Sequence, residues 1–237
     1  MNNFGRQRQN PYSWIVPGVI VILDLLMYLL AYTKQPKGLI KGFSDKTLIY
    51  AGALNGDSPF YRIITSVLLN SSLYILIISL IILILTWVYM EKMYGFGLYV
   101  ASLLLLIVMS GFLAQHLTPE HVTASLITVL AGLVGMLLAA YIKLKEQDIM
   151  IILIINGILL IASFFVPGHE AVNIIITIIM FIIGIVLGFI AIMLSYKIAE
   201  IEETNRYKQQ LKEEEKRRKE AERQQKQIDK IRRKQSK

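Results

Sequence analysis

Six stretches of the chain are predominantly apolar, at roughly 13–33, 64–90, 95–115, 122–142, 149–166 and 172–196. Each predicts an α-helix able to cross about 30 Å of hydrocarbon at about 1.5 Å per residue. The fifth is the shortest and is expected to tilt or to sit partly buried. Three of the connections are brief and polar: EKMYG, KLKEQD and PGHEA. The connection after the first stretch is long and carries apolar patches, so it is expected to lie in the membrane interface rather than in bulk water. After Lys197 the pattern changes from apolar to almost wholly charged.

Composition fits a polytopic membrane protein. Of 237 residues, 55% are apolar, and the mean hydropathy is +0.55. The first ten residues, MNNFGRQRQN, are polar, and no small-residue cleavage site follows the first apolar run, which predicts a retained span. The absence of cysteine excludes disulfides, thiolate catalysis and cysteine-based metal sites. Lys and Arg set the expected orientation. With both termini cytosolic, twenty basic residues lie inside and five outside (Lys34, Lys37, Lys41, Lys46 and Arg62). The expected layout is a cytosolic N-terminus over 1–12, a six-helix membrane domain over 13–196 in the plasma membrane, and a cytosolic tail over 197–237.

The tail holds 15 basic and 9 acidic residues. Over 197–222 the charges balance at eight of each, and Glu repeatedly precedes Lys or Arg by four residues, as in Glu215–Lys219. Such pairs each support a helix by about 0.2–0.5 kcal/mol. Residues 223–237 are basic but for Asp229. The prediction is a charged cytosolic C-terminal helix whose basic end contacts anionic lipid, RNA or an acidic protein. Its apolar positions are too sparse for a coiled-coil seam.

Several motifs, in order, resemble the rhomboid family of intramembrane serine proteases over about 50–195. FYRIITSVLLNSS presents Tyr61, Arg62 and Thr65 ahead of the second span. MEKMYGFGLY presents Glu91, Gly95 and Gly97 between spans two and three. MSGFLAQ resembles the end of the family's third helix, and IIGIVLGFI carries Gly184 and Gly188 four apart in the last span. The resemblance implies an all-α, six-transmembrane-helix rhomboid-like bundle. Gly184 and Gly188 give a flat helix face, as do Ala131, Gly135 and Ala139 in span four, so spans four and six are expected to touch.

The family's chemistry needs a serine nucleophile, a base beside it, and donors for an oxyanion. The stretch TASL offers Ser125, but Thr123 and Leu126 stand where the family has glycines. If Gly132 and Gly135 set the register, the nucleophile position falls on Ile127. The base position falls on Thr177, which cannot accept a proton near neutral pH. The family's polar positions in span two fall on Asn70, Ile75 and Ser79. The expectation is therefore a pseudoprotease that binds transmembrane clients between spans two and five. The rival expectations are a serine-type endopeptidase using Ser125 and a small proton-coupled transporter using Asp24.

His121, four residues before Ser125, is the nearest alternative base. His116, Glu120, His121, His169 and Glu170 fall on the outer side but match no zinc spacing, so neither metal nor cofactor is expected. Two polar residues stand out inside spans, Asp24 and Asn156. A carboxylate at that depth costs about 2.5–3.5 kcal/mol on insertion scales, so Asp24 is expected to face protein or water, and Asn156 poses the same question in span five.

Overall fold

The computed structural model describes residues 14–38, 42–55, 58–117, 122, 126–166 and 171–235. In the last helix it describes the side chains of Ile174–Arg217, Glu202 excepted, and of Lys219. The elements are α1 (Ile15–Lys34), α2 (Asp45–Ala51), α3 (Tyr61–Val67), α4 (Leu73–Tyr94), α5 (Phe96–Leu117), α6 (Leu126–Leu144), α7 (Gln147–Ser163) and α8 (Ala171–Gln235). No β-strand occurs among the described residues. The chain divides into two compact units, Met1–Ile192 and Met193–Lys237.

Among the described residues, five helices are long and apolar enough to cross a membrane: α1, α4, α5, α6 and the apolar part of α8. They make the chain a multi-pass membrane protein by length and composition. The stretch expected as the fifth of six spans, 149–166, corresponds to α7, which has 17 residues and falls short of the other five. At about 1.5 Å per residue it covers only about 26 Å.

The second expected span, 64–90, is broken. Helix α3 ends at Val67, α4 starts at Leu73, and the LLNSS segment between them is not helical. Its apolar and small residues carry hydropathy through the break, which is why the pattern reads as one span. All five residues are nevertheless buried in protein. Irregular backbone at membrane depth is tolerated only where its polar groups are satisfied away from lipid. Here the Phe43 N–H donates to the Ser71 carbonyl at 2.9 Å, and the Leu69 N–H to the Ser66 carbonyl at 3.4 Å. Ser72, extended at φ −153°, caps α4 by accepting from the Ile75 N–H.

Helix α6 is the most enclosed span: 78% of its apolar window is buried, against 28% for α1. It packs against α3, α4, α5 and α7. Its contact with α8 is backbone to backbone. A Cβ added at Gly184 would land on the Gly132 carbonyl, and one at Gly188 on Met136 and Ala139. Gly95 stops α4 at φ 78°, a backbone region that side chains disfavour. Its neighbour Gly97 has open space around it, so its place in the motif has no steric reason here.

The long connection after α1 builds a second, smaller core. Tyr28 and Ala31 of α1 meet Phe43, Leu48, Ala51, Ala53, Leu69 and Leu76. Arg62 Nη1 donates to the Ala53 carbonyl at 3.2 Å, and Thr65 Oγ1 to the Gly52 carbonyl at 2.8 Å. These two bonds staple the end of α2 to α3. Tyr61, the first residue of α3 and part of the same motif, is exposed.

The second unit is helical to Gln235, and nearly all its described side chains are exposed.

Candidate functional site

The polar groups inside the bundle form a few small clusters, and the largest is built around Asp24. Ile20, Asp24, Tyr28 and Ala31 recur every three or four residues, so they make the inward stripe of α1. Asp24 is fully buried and faces the break between α3 and α4. There Asn70 Nδ2 donates to Asp24 Oδ1 at 2.8 Å. Ser79, on α4, donates through Oγ to Asn70 Oδ1 at 3.3 Å. Three elements are thus joined by a one-directional chain of donors that ends on the carboxyl group. Asp24 Oδ2 and the Tyr28 hydroxyl, one turn along the same stripe, are buried without a protein partner. No base faces Ser79: its hydroxyl proton points at an amide oxygen, which cannot take it up, so this cluster does not activate a serine.

A second cluster joins α4 and α7. Asn156 Nδ2 donates to Thr86 Oγ1 at 3.4 Å, and the Thr86 hydroxyl is bonded back to the Ile82 carbonyl. Asn156 is fully buried, and its Oδ1 has no protein partner. A third contact pairs the Ser110 and Thr128 hydroxyls of α5 and α6 at 2.6 Å. A fourth ties the Tyr94 hydroxyl of α4 to the Met136 carbonyl of α6 at 2.8 Å.

The sequence-derived positions distribute as follows. Asp24, Asn70 and Ser79, singled out for separate reasons, meet in one cluster. Asn156 is apart from them. Ile75 and Ile127 are buried apolar side chains, and Thr177 is buried in α8. Glu91 is buried near the end of α4. Ser125, with Thr123 and Ala124, lies outside the described residues, as do Glu120, His121, His169 and Glu170. His116 is described: its ring stacks on Phe112 at 4.0 Å between centroids, and its Nδ1 lies 3.0 Å from the Phe112 carbonyl. Among the described residues no three His, Asp or Glu side chains come together as a metal site.

Sequence reasoning missed Tyr28, Thr86, Ser110, Thr128 and Tyr94. Tyr28 could have been found, because it stands four residues after Asp24 and so shares its face. The hydroxyls of Thr86, Ser110 and Thr128 carry no such signal, since isolated Ser and Thr in spans usually bond to their own helix. The chain matches no protein-family model, no curated protein and no solved structure.

Proposed function

We propose that the membrane bundle is a non-catalytic, rhomboid-like pseudoprotease that holds transmembrane helices of client proteins and controls their stability or trafficking. In this reading it sits in the plasma membrane with both termini cytosolic. The observation that carries it is the commitment of Ser79 to Asn70 and of Asn70 to Asp24. Asn70 and Ser79 are the polar side chains at the family's polar positions in span two, and here Asn70 holds a carboxyl group of α1 while Ser79 holds Asn70. Ile75 and Thr177 stand where the family reading requires a donor and a base, and neither side chain can fill those roles at neutral pH.

The client site is the seam between α4 and α7. A long side-chain hydrogen bond, Asn156 to Thr86 at 3.4 Å, crosses it. Such bonds between spans average about 0.6 kcal/mol, so a client helix offering its own polar group can displace this one. The free Asn156 Oδ1 gives that group an acceptor.

The test is covalent labelling with an activity-based fluorophosphonate, on purified protein in detergent and in liposomes, beside the Ser125→Ala variant and an active rhomboid protease. The expected result is no labelling under conditions where the control reacts. Labelling that vanishes in Ser125→Ala would sink the reading and establish an activated serine.

A further inference from the structure

We propose that the helical tail binds the phosphodiester backbone of a nucleic acid along a basic stripe running from Lys208 to Lys234. The inference is independent of the client-binding reading, because it rests on a different unit of the chain.

The observation is one of register. The backbone is α-helical through Gln235, so position along the chain fixes position around the axis at about 100° per residue. Lys208, Lys212, Lys216, Lys219, Arg223 and Lys226 follow one another at steps of three or four. The same steps continue through Lys230 to Arg233 and Lys234. Of the 12 basic residues between 208 and 234, nine fall within one arc of about 100°. Scattered charge would put only about three there, since the arc is little more than a quarter of the circumference. Acidic residues avoid the arc: of six in the same span only Glu215 lies on it, 2.6 Å from Lys219. The other five lie on the remaining faces. Lys208, Lys212, Lys216 and Lys219 are exposed.

The chemistry of the stripe selects among polyanions. It is a straight row about 39 Å long with about one basic position per 5.4 Å turn. A helix that embeds in a lipid interface needs an apolar face beside its basic flanks, and one drawn to anionic lipid by charge alone makes no use of an ordered row. Here Leu211, Ile228 and Ile231 lie on different faces and form no such strip. A protein partner would need apolar or aromatic anchors in the contact, and the stripe contains none. Phosphodiester backbone requires neither. It is held by Lys and Arg with help from neutral amides, and Asn205, Gln209 and Gln227 fall on or beside the arc. The Glu215–Lys219 pair is an exposed i,i+4 contact, and a phosphate group can displace it.

The test uses the full-length protein in nanodiscs of zwitterionic lipid. Binding to fluorescent 20-base-pair RNA and DNA duplexes is measured by anisotropy from about 50 to 300 mM KCl. Two variants each lose four positive charges. One removes stripe charges (Lys212→Gln, Arg223→Gln, Lys226→Gln, Lys230→Gln). The other removes charges off the stripe (Arg206→Gln, Arg217→Gln, Arg218→Gln, Arg232→Gln). Gln has nearly the helix propensity of the residues it replaces, and circular dichroism confirms that helicity is kept. The stripe variant is expected to lose at least about tenfold in affinity, with its log–log salt slope flattened by about three. The off-stripe variant is expected to lose less than about threefold, although Arg is the better phosphate ligand and all four of its changes remove Arg. Tighter binding of one duplex identifies the source of the backbone; equal binding leaves it generic, and both outcomes support the site. Equal losses in the two variants, or no binding to either duplex, overturn the proposal. So does tighter binding to polyglutamate or to phosphatidylserine vesicles than to the duplexes, which would assign the stripe to an acidic protein or to a membrane.

Discussion

The two units of this chain use the same helix in opposite ways. In the bundle, apolar residues surround each span, so the 3.6-residue period carries almost no information about which face is inward. The inward faces are marked instead by what is small or polar: Gly132 against Gly184, Asp24 against Asn70, Asn156 against Thr86. In the tail the described side chains are nearly all exposed, packing selects nothing among them, and the period is written in charge. Where the solvent is apolar, exceptions to the hydrophobic pattern specify contacts. Where it is water, the arrangement of charge is what remains to be read.

The sharpest way to break this contrast is to enlarge a contact residue in each unit. Gly184→Leu forces a side chain into the α6 backbone and is expected to cost about 3 kcal/mol or more, read as loss of the folded species in detergent thermal-shift assays. Lys212→Leu in the tail is expected to change stability by less than about 0.5 kcal/mol. Comparable losses would mean the tail is packed after all. Next in size is Asp24→Leu, which strands the Asn70 amide donor and is expected to destabilise by about 1–3 kcal/mol. Asp24→Asn, which keeps an acceptor, is expected to lose less, and chemical denaturation in mixed micelles compares them. Asn156→Leu should change stability by no more than about 0.6 kcal/mol, because it deletes a weak bond together with an orphaned oxygen.

The smallest effect belongs to the tail. The hydrogen bond and positive charge of Lys219 hold the Glu215 carboxyl below its ordinary range. Its folded-state pKa is depressed, so the pair's support of the helix is fully present above the ordinary glutamate value. It is lost as pH falls through the lowered one. The Glu215 carboxyl carbon shift, followed by NMR against pH, should titrate lower than in the Lys219→Gln variant; coincident curves would remove the pair.

Much of the architecture is legible in the pattern because crossing a membrane demands length and apolarity, both local properties. The close approach expected from the Gly184–Gly188 spacing is a local property too. The break at 68–72 was not legible: Leu68 and Leu69 keep the hydropathy high, and only the fold supplies Phe43 and Asp24 as partners for the freed polar groups. The Asp24 cluster itself joins residues 46 apart, and nothing local in the sequence announces that pairing. Thr86 was invisible for the same reason, its Asn156 partner being 70 residues away.

That separation also has a consequence in time. A chain is made from its N-terminus at about 5–20 residues per second, so Asn70 follows Asp24, 46 residues earlier, by roughly 2–9 s. Through that interval α1 carries a carboxyl group whose partner has not yet been synthesised. Nascent α1 is therefore a different object from mature α1: a span with an uncovered polar flaw until the Asn70 turn arrives to cover it.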